Sequence, residues 1–181
     1  MSRYVALLRA INVGGHTVKM DALRGLFSEV GLADVTTFIA SGNVLFDADA
    51  AGAALERRIE AHLGQALGYE VVTFVRSAAE LAAVAAHRPF SAAALEAAFG
   101  LMIVFLKAPP PDAAVARLLA YRRDSDDFAV HGREVYWLRH TQQSETRFTA
   151  ATLERALGGP ATARNITTVR KLAELSARKP A

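Results

Sequence analysis

Arg9, Asn12, Gly14 and Gly15 fall within seven residues, at the end of a mostly apolar run from Tyr4 to Val13. A cation, an amide and a flexible glycine pair in that spacing suit an anion. Glycine lets backbone N–H groups approach a ligand, and a helix beginning just beyond adds unpaired N–H groups of its own. The same residues also suit a plain chain reversal in which Arg9 pairs with a carboxylate. The segment fits neither GxxxxGK[ST] nor GxGxxG, so it is not a loop of the P-loop or dinucleotide-binding kind. Ser41-Gly42-Asn43 suits a two-residue hairpin turn with glycine first, and leaves Ser41 and Asn43 within reach of a ligand. The third group is Arg164, Asn165, Thr167, Thr168, Arg170 and Lys171. Cations, hydroxyls and an amide around a strand-to-helix junction suit phosphate or carboxylate. They equally suit a helix capped by Thr167 or Thr168 and followed by solvated cations.

Catalytic constellations are poor. With no cysteine there is no thiolate nucleophile, thiolate zinc site or disulfide framework. His16, His62, His87, His131 and His140 have no metal-ligand spacing, so no metal is expected, and no cofactor either. Ser41 follows Ala40 and is in no GxSxG elbow. Asp124, Asp126 and Asp127 form an acidic loop, for which a solvated turn is the simpler reading than a divalent-ion site. Strand alternation at Tyr136-Trp137 predicts one ring inward and one outward, where it can stack on a base.

The elements that must position these residues follow from the apolar pattern. Tyr4 to Val13 reads as a buried strand, and Met20, Leu23, Leu26, Phe27 and Val30 recur at helical spacing up to Gly31. Val35–Ala40 and Val44–Phe46 read as a hairpin, Leu55 to Leu67 as a helix, Glu70–Arg76 as a strand and Ala78–Ala86 as a further helix. The order then repeats. Leu101–Lys107 is a strand, Asp112–Tyr121 a helix after Pro109–Pro111, and Phe128–Val130 with Glu134–Arg139 a second hairpin. Leu153–Leu157 belong to a helix, Thr162–Thr168 to a strand and Val169–Ala177 to a terminal helix. Leu7-Leu8-Arg9-Ala10 aligns with Phe105-Leu106-Lys107-Ala108 at an offset of 98 residues, and Leu55-Glu56-Arg57-Arg58-Ile59 with Leu153-Glu154-Arg155-Ala156-Leu157 at the same offset. The expected fold is α+β: two tandem ferredoxin-like (β-α-β-β-α-β) halves with antiparallel-rich sheets, 1–90 and 91–181, packed as one compact unit.

Composition narrows the class. The chain has 181 residues, 52% of them hydrophobic and 22% charged, which excludes disordered and fibrous proteins. Its longest uncharged apolar stretches fall short of the roughly 20 residues of a membrane helix, and its start shows no signal-peptide apolar region. A cytoplasmic protein without a membrane partner is expected. The net charge is +3. Residues 1–90 carry 8 Lys and Arg against 9 Asp and Glu, whereas 91–181 carry 13 against 9. A basic second half favours phosphate, nucleic acid or other acidic partners.

Three of these segments also carry a family resemblance. Leu7-Leu8-Arg9-Ala10-Ile11-Asn12-Val13-Gly14-Gly15 resembles the LLRGINVGG signature of the bacterial DUF1697 family, and the likeness continues through Lys19-Met20 and Leu23-Arg24. Phe38-Ile39-Ala40-Ser41-Gly42-Asn43-Val44-Leu45-Phe46 is similar to that family's YIQSGNVVF, and Thr162 to Leu172 to its TTRNWNTVxKL. The resemblance implies a two-part α+β fold and no established activity. The chain departs from the pattern at Ala10, where the family has glycine, and at Ile166-Thr167, where it has Trp-Asn. It departs again at Glu145-Thr146-Arg147-Phe148-Thr149, which lacks the glycine of G-x-S-K-L-T. The leading functional expectation is non-catalytic binding of an anionic ligand (nucleotide, phosphate or nucleic acid) in a cleft between the halves. Its candidate residues are Arg9, Asn12, Gly14, Gly15, Ser41, Asn43, Arg164, Asn165 and Lys171. The alternatives are an enzyme acting on a small phosphorylated or acidic metabolite, and a self-associating structural protein. Arg9, Asn12, Ser41 and Asn43 can share a site only if the first hairpin turns at the end where the first strand stops.

Overall fold

The computed structural model describes residues 1–12, 15–40, 42–50, 52–142 and 148–177. Its first elements are β1 (Ser2–Leu8), α1 (Met20–Glu29), β2 (Ala33–Thr37), β3 (Asn43–Ala48), α2 (Gly52–Leu67) and β4 (Thr73–Ser77). Two helices follow, α3 (Ala78–Ala86) and α4 (Ala92–Ala97). The order then recurs as β5 (Gly100–Phe105), α5 (Asp112–Leu119), β6 (Asp126–His131), β7 (Glu134–Arg139), α6 (Ala150–Leu157) and β8 (Thr162–Asn165), closed by α7 (Ile166–Ala177). The strands form two antiparallel sheets, ordered β2-β3-β1-β4 and β6-β7-β5-β8. In each, the first and third strands are central and the second and fourth are edges. The fold is α+β, two tandem ferredoxin-like halves. The chain divides into two compact units, one of Met1–Ala83 with the chain from Arg170 onward, the other of Val84–Val169.

Each unit has its own core. In the first, Ala6, Leu8, Val44, Phe46 and Val75 meet Leu23 and Phe27 of α1 and Leu55, Ile59 and Leu63 of α2. In the second, Val104, Leu106, Val135 and Trp137 pack with Leu118 of α5 and with Leu153 and Leu157 of α6. Burying one such large side chain contributes about 1.5–3 kcal/mol.

An edge strand leaves N–H groups unpaired, and α2 supplies carboxylates for them. Thr73 N–H donates to Glu60 Oε1 and Val75 N–H to Glu56 Oε1, both at 2.8 Å. In the other half Ala161 N–H, just before β8, donates to Glu154 Oε1 at 2.9 Å. The aligned pair Leu55-Glu56 and Leu153-Glu154 thus does the same work twice: one apolar residue for the core, one carboxylate for the sheet edge.

Some elements differ from expectation. The first hairpin is not a two-residue turn. Strand β2 ends at Thr37 and β3 begins at Asn43, with Phe38 N–H donating to Asn43 O and Asn43 Nδ2 to Phe38 O, both at 3.0 Å. Strand β8 stops at Asn165 because that side chain, and neither Thr167 nor Thr168, caps α7: its Oδ1 accepts from Thr168 N–H at 2.7 Å. Helix α4 was not anticipated; Ser91 caps it by accepting from Ala94 N–H. Neither ring of Tyr136-Trp137 is available for a base, since both are buried. Tyr136 donates its hydroxyl to Val84 O at 3.1 Å, and burial pushes its pKa up to about 12. Trp137 donates Nε1–H to Asp126 Oδ1 at 2.7 Å. Among the described residues no helix is long and apolar enough to cross a membrane.

Candidate functional site

Strand β1 ends at Leu8, whose N–H donates to Gly42 O at 2.8 Å. Because β3 runs antiparallel to β1, the loop that precedes it turns at the end where β1 stops. Arg9 N–H donates to Val72 O at 2.8 Å, which brings the approach to β4 to the same place. Three loops therefore converge there. Gly42 permits their contact. Its φ is +76°, and a Cβ on it would lie 2.6 Å from Ile11 Cγ2 and 3.0 Å from Leu8 Cβ.

Asn12 ties the loops together. Its Nδ2 donates to Ala40 O at 3.0 Å, and its Oδ1 accepts from Val18 N–H at 2.7 Å. On either side of that tie the backbone is left-handed at a residue other than glycine: Ala10 has φ 57° and Ile39 φ 51°. Such a conformation is costly, most of all for a β-branched side chain. Ile39 is also 51% exposed, so it gains little burial in return.

Of the candidates in this half, the structure brings Arg9, Asn12 and Asn43 to one end of the first sheet, while Gly14 and Ser41 lie outside the described residues. Arg9 is half-buried just past β1. Asn43 is fully buried and shapes its own turn. Gly15, with φ +89°, has open space where a side chain would be. Sequence reasoning passed over three neighbours. Lys19 is the residue before α1 and makes no side-chain cap, so no side chain of its own covers the N–H groups of the first turn. The His16 ring stacks on Tyr69 at 3.9 Å between centroids. The Tyr69 hydroxyl is buried without a hydrogen-bond partner among the described residues. Lys19 lay in plain view inside the Lys19-Met20 likeness; His16 and Tyr69 are far apart in sequence, and no pattern joins them.

The C-terminal group is built differently. Arg164 does not face solvent. It is 8% exposed, and its Nη1 donates to Thr162 Oγ1 at 2.8 Å and to Ala163 O at 2.9 Å. Burial lowers its pKa to about 10, which leaves it charged at neutral pH. It pairs in register with Ile103, as Arg76 does with Val5, and Arg76 Nη1 likewise donates to the carbonyl of the preceding residue, at 3.0 Å. Val5 and Ile103 are themselves the 98-residue pair, so the buried arginine is a repeated feature of the fold. Asn165 caps α7, and half-buried Lys171 bonds Glu174 at 3.0 Å. The acidic loop also has internal partners: Asp126 accepts from Trp137 and Ser125, and Asp127 pairs with Arg122 at 2.7 Å. No group of three His, Asp or Glu that could hold a metal occurs among the described residues.

Two ferredoxin-like halves, with a pinned and strained loop cluster at one end of the first sheet, make this an α+β protein of tandem build. The chain belongs to DUF1697, a family of proteins of unknown function, whose model matches residues 1–136. A solved structure of the conserved bacterial protein SP0830 from Streptococcus pneumoniae shares the fold, with a TM-score of 0.79 and 21% sequence identity over 98% of this chain and 99% of that one. No curated protein matches.

Proposed function

We propose that this is a cytoplasmic, non-catalytic binding protein whose ligand is an anion, a phosphate-bearing metabolite or nucleic acid, held by the loops at the end of β1. The junction at Asn12 carries the reading. One amide fixes two loops that each bear a left-handed residue, and strain of that kind collects where a binding geometry must be held. The charge there favours an anion. Within residues 9–24 the one carboxylate is Asp21, bonded to Arg24, whereas Arg9 and Lys19 add positive charge to the same stretch. The first turn of α1 adds backbone donors beside Lys19.

The test is an NMR titration of the protein with inorganic phosphate, pyrophosphate and a short single-stranded oligonucleotide. Saturable amide shifts are expected at Gly15–Met20 and around Ala40 and Gly42. Lys19→Ala should weaken the tightest binder by about tenfold or more, the loss of one hydrogen bond to a charged group. A steep fall of affinity with salt would assign the site to a polyanion. If none of the three probes moves these amides at low salt, the reading fails.

A further inference from the structure

In the second unit, the connection between α5 and β6 and the start of α6 line an open pocket of about 630 Å³. That volume falls in the roughly 300–1,000 Å³ range of small-molecule sites. One wall is aromatic. Tyr121, 39% exposed, leans on Phe148 with centroids 5.4 Å apart, and Phe148 packs against Trp137 at 5.2 Å and Phe128 at 4.8 Å. The wall is thus backed by core. Arg123 and Asp124, both exposed, belong to the same lining. Arg123 and Asp126 exchange both backbone hydrogen bonds, at 2.9 and 3.1 Å, which closes the turn tightly. Arg123 Nη1 donates to Ala120 O and Arg122 O, which ties the guanidinium to the backbone just after α5. The floor is Asp126, fixed by the Trp137 indole and the Ser125 hydroxyl, both at 2.7 Å.

We propose that this pocket binds an uncharged nucleobase-type ring, a planar nitrogen heterocycle whose edge sets an acceptor beside a donor. The face of the ring stacks on Tyr121, as bases do on exposed aromatic side chains. Arg123 can only donate and Asp124 can only accept, so side by side they complement that edge. Charge excludes a phosphorylated form. Asp124 and Asp126 outnumber Arg123 in the lining, and the nearby Arg122 is committed to Asp127. The ligand therefore differs in charge from the anion proposed for the first unit, and the two sites stand or fall separately.

Trp137 is the chain's single tryptophan, so its indole N–H gives one NMR resonance that reports on the pocket floor. Guanosine, cytidine, guanosine 5′-monophosphate and benzyl alcohol are titrated against the whole chain. At least one of the two nucleosides should move the indole resonance saturably, and the monophosphate should bind more weakly than guanosine. Tyr121→Ala should weaken nucleoside binding about tenfold, the loss of one stacked ring. Asp124→Ala, at an exposed turn position that leaves folding intact, should weaken it as well. No shift with either nucleoside, or benzyl alcohol binding as tightly as both, overturns the proposal. Binding that Asp124→Ala leaves unchanged also overturns it.

Discussion

The two halves share one strand end and finish it differently. Leu8 N–H donates to Gly42 O at 2.8 Å in the first, and Leu106 N–H to Arg133 O at 3.0 Å in the second. Leu7 pairs with Asn43 just as Phe105 pairs with Glu134. Beyond that point the halves diverge. The second closes its hairpin with Gly132-Arg133 alone and leaves the central strand through Pro109-Pro110-Pro111, whose rings fix the backbone covalently. The first has a longer connection between Thr37 and Asn43, one close approach at Gly42, and a side chain, Asn12, to hold what proline holds in the other. A duplicated fold keeps the hydrogen bonds that end its strands and lets the loops go their own way. Two of the three left-handed non-glycine residues, Ala10 and Ile39, lie at the end that Asn12 holds; the third, Asp34, lies in β2 toward the other end of the same sheet.

The sharpest way to break this contrast is a methyl group on each turn glycine. Gly42→Ala meets a left-handed φ, the Ile11 methyl at 2.6 Å and Leu8 Cβ at 3.0 Å, and should destabilise by about 2–5 kcal/mol. Gly132→Ala meets φ +58° but nothing nearer than Glu134 Oε2 at 3.6 Å, so conformational strain alone should cost about 1–2 kcal/mol. Urea denaturation of both variants checks the difference. Equal losses would mean that the close approach at Gly42 carries no energy.

Asn12→Ala comes next. It leaves Ala40 O and Val18 N–H without their partner and should cost about 1–3 kcal/mol. Hydrogen exchange at Val18 should speed up more than the global loss accounts for, because the loops separate before the sheet opens. Protection at Val18 that only follows global stability would show that Asn12 ties nothing locally.

The second half carries a titratable pair at its own turn. His131 ends β6, and its ring stacks on His87 at 4.1 Å. Burial lowers the His87 pKa below 6.5, with His131 and then Arg88 pushing the same way. The unfolded chain therefore takes up this proton at a higher pH than the folded one. Stability is unaffected well above pH 6.5 and falls as pH drops through and below that value. His131→Phe keeps a ring on His87 and removes the like charge, so the decline should become shallower without vanishing, since burial is the larger cause. Urea midpoints between about pH 5 and 8 measure it. A slope unchanged by His131→Phe would remove the charge of His131 from the account.

Much of the fold was legible because it rests on local pattern. The spans of α3 and β7 came directly from apolar runs, and the repeat from two aligned segments whose Glu56 and Glu154 turn out to serve the sheet edges. The site was legible only in part. Arg9, Asn12 and Gly42 could be picked out by type, yet the roles of Asn12 and Asn43 as loop builders depend on backbone partners 28 and 5 residues away. The burial of Arg164 was hidden for a similar reason. A charged side chain in a short strand reads as exposed, and its twin Arg76 stands outside the 98-residue offset because the chain between is shorter in the second half. Ala10 was the clearest signal: the glycine expected there by family likeness marks a position whose φ is +57°.

That position yields the smallest effect and the most direct comparison. Ala10 aligns with Ala108, but only Ala10 is left-handed; Ala108 precedes Pro109, which favours an extended backbone there. Ala10→Gly removes the steric penalty of the left-handed region and adds freedom to the unfolded chain, two effects of opposite sign. The first is the larger, so the variant should gain about 0.5–1 kcal/mol. Ala108→Gly has no strain to relieve and keeps only the entropic loss, so it should fall by about 0.5–1 kcal/mol. Opposite shifts in the urea midpoints of the two variants would confirm that one alanine of the pair is strained. If Ala10→Gly also relaxes the loop enough to weaken phosphate or pyrophosphate binding, the strain belongs to ligand recognition. If binding is unchanged while stability rises, the left-handed alanine is a tolerated departure from the family's glycine with no part in the site.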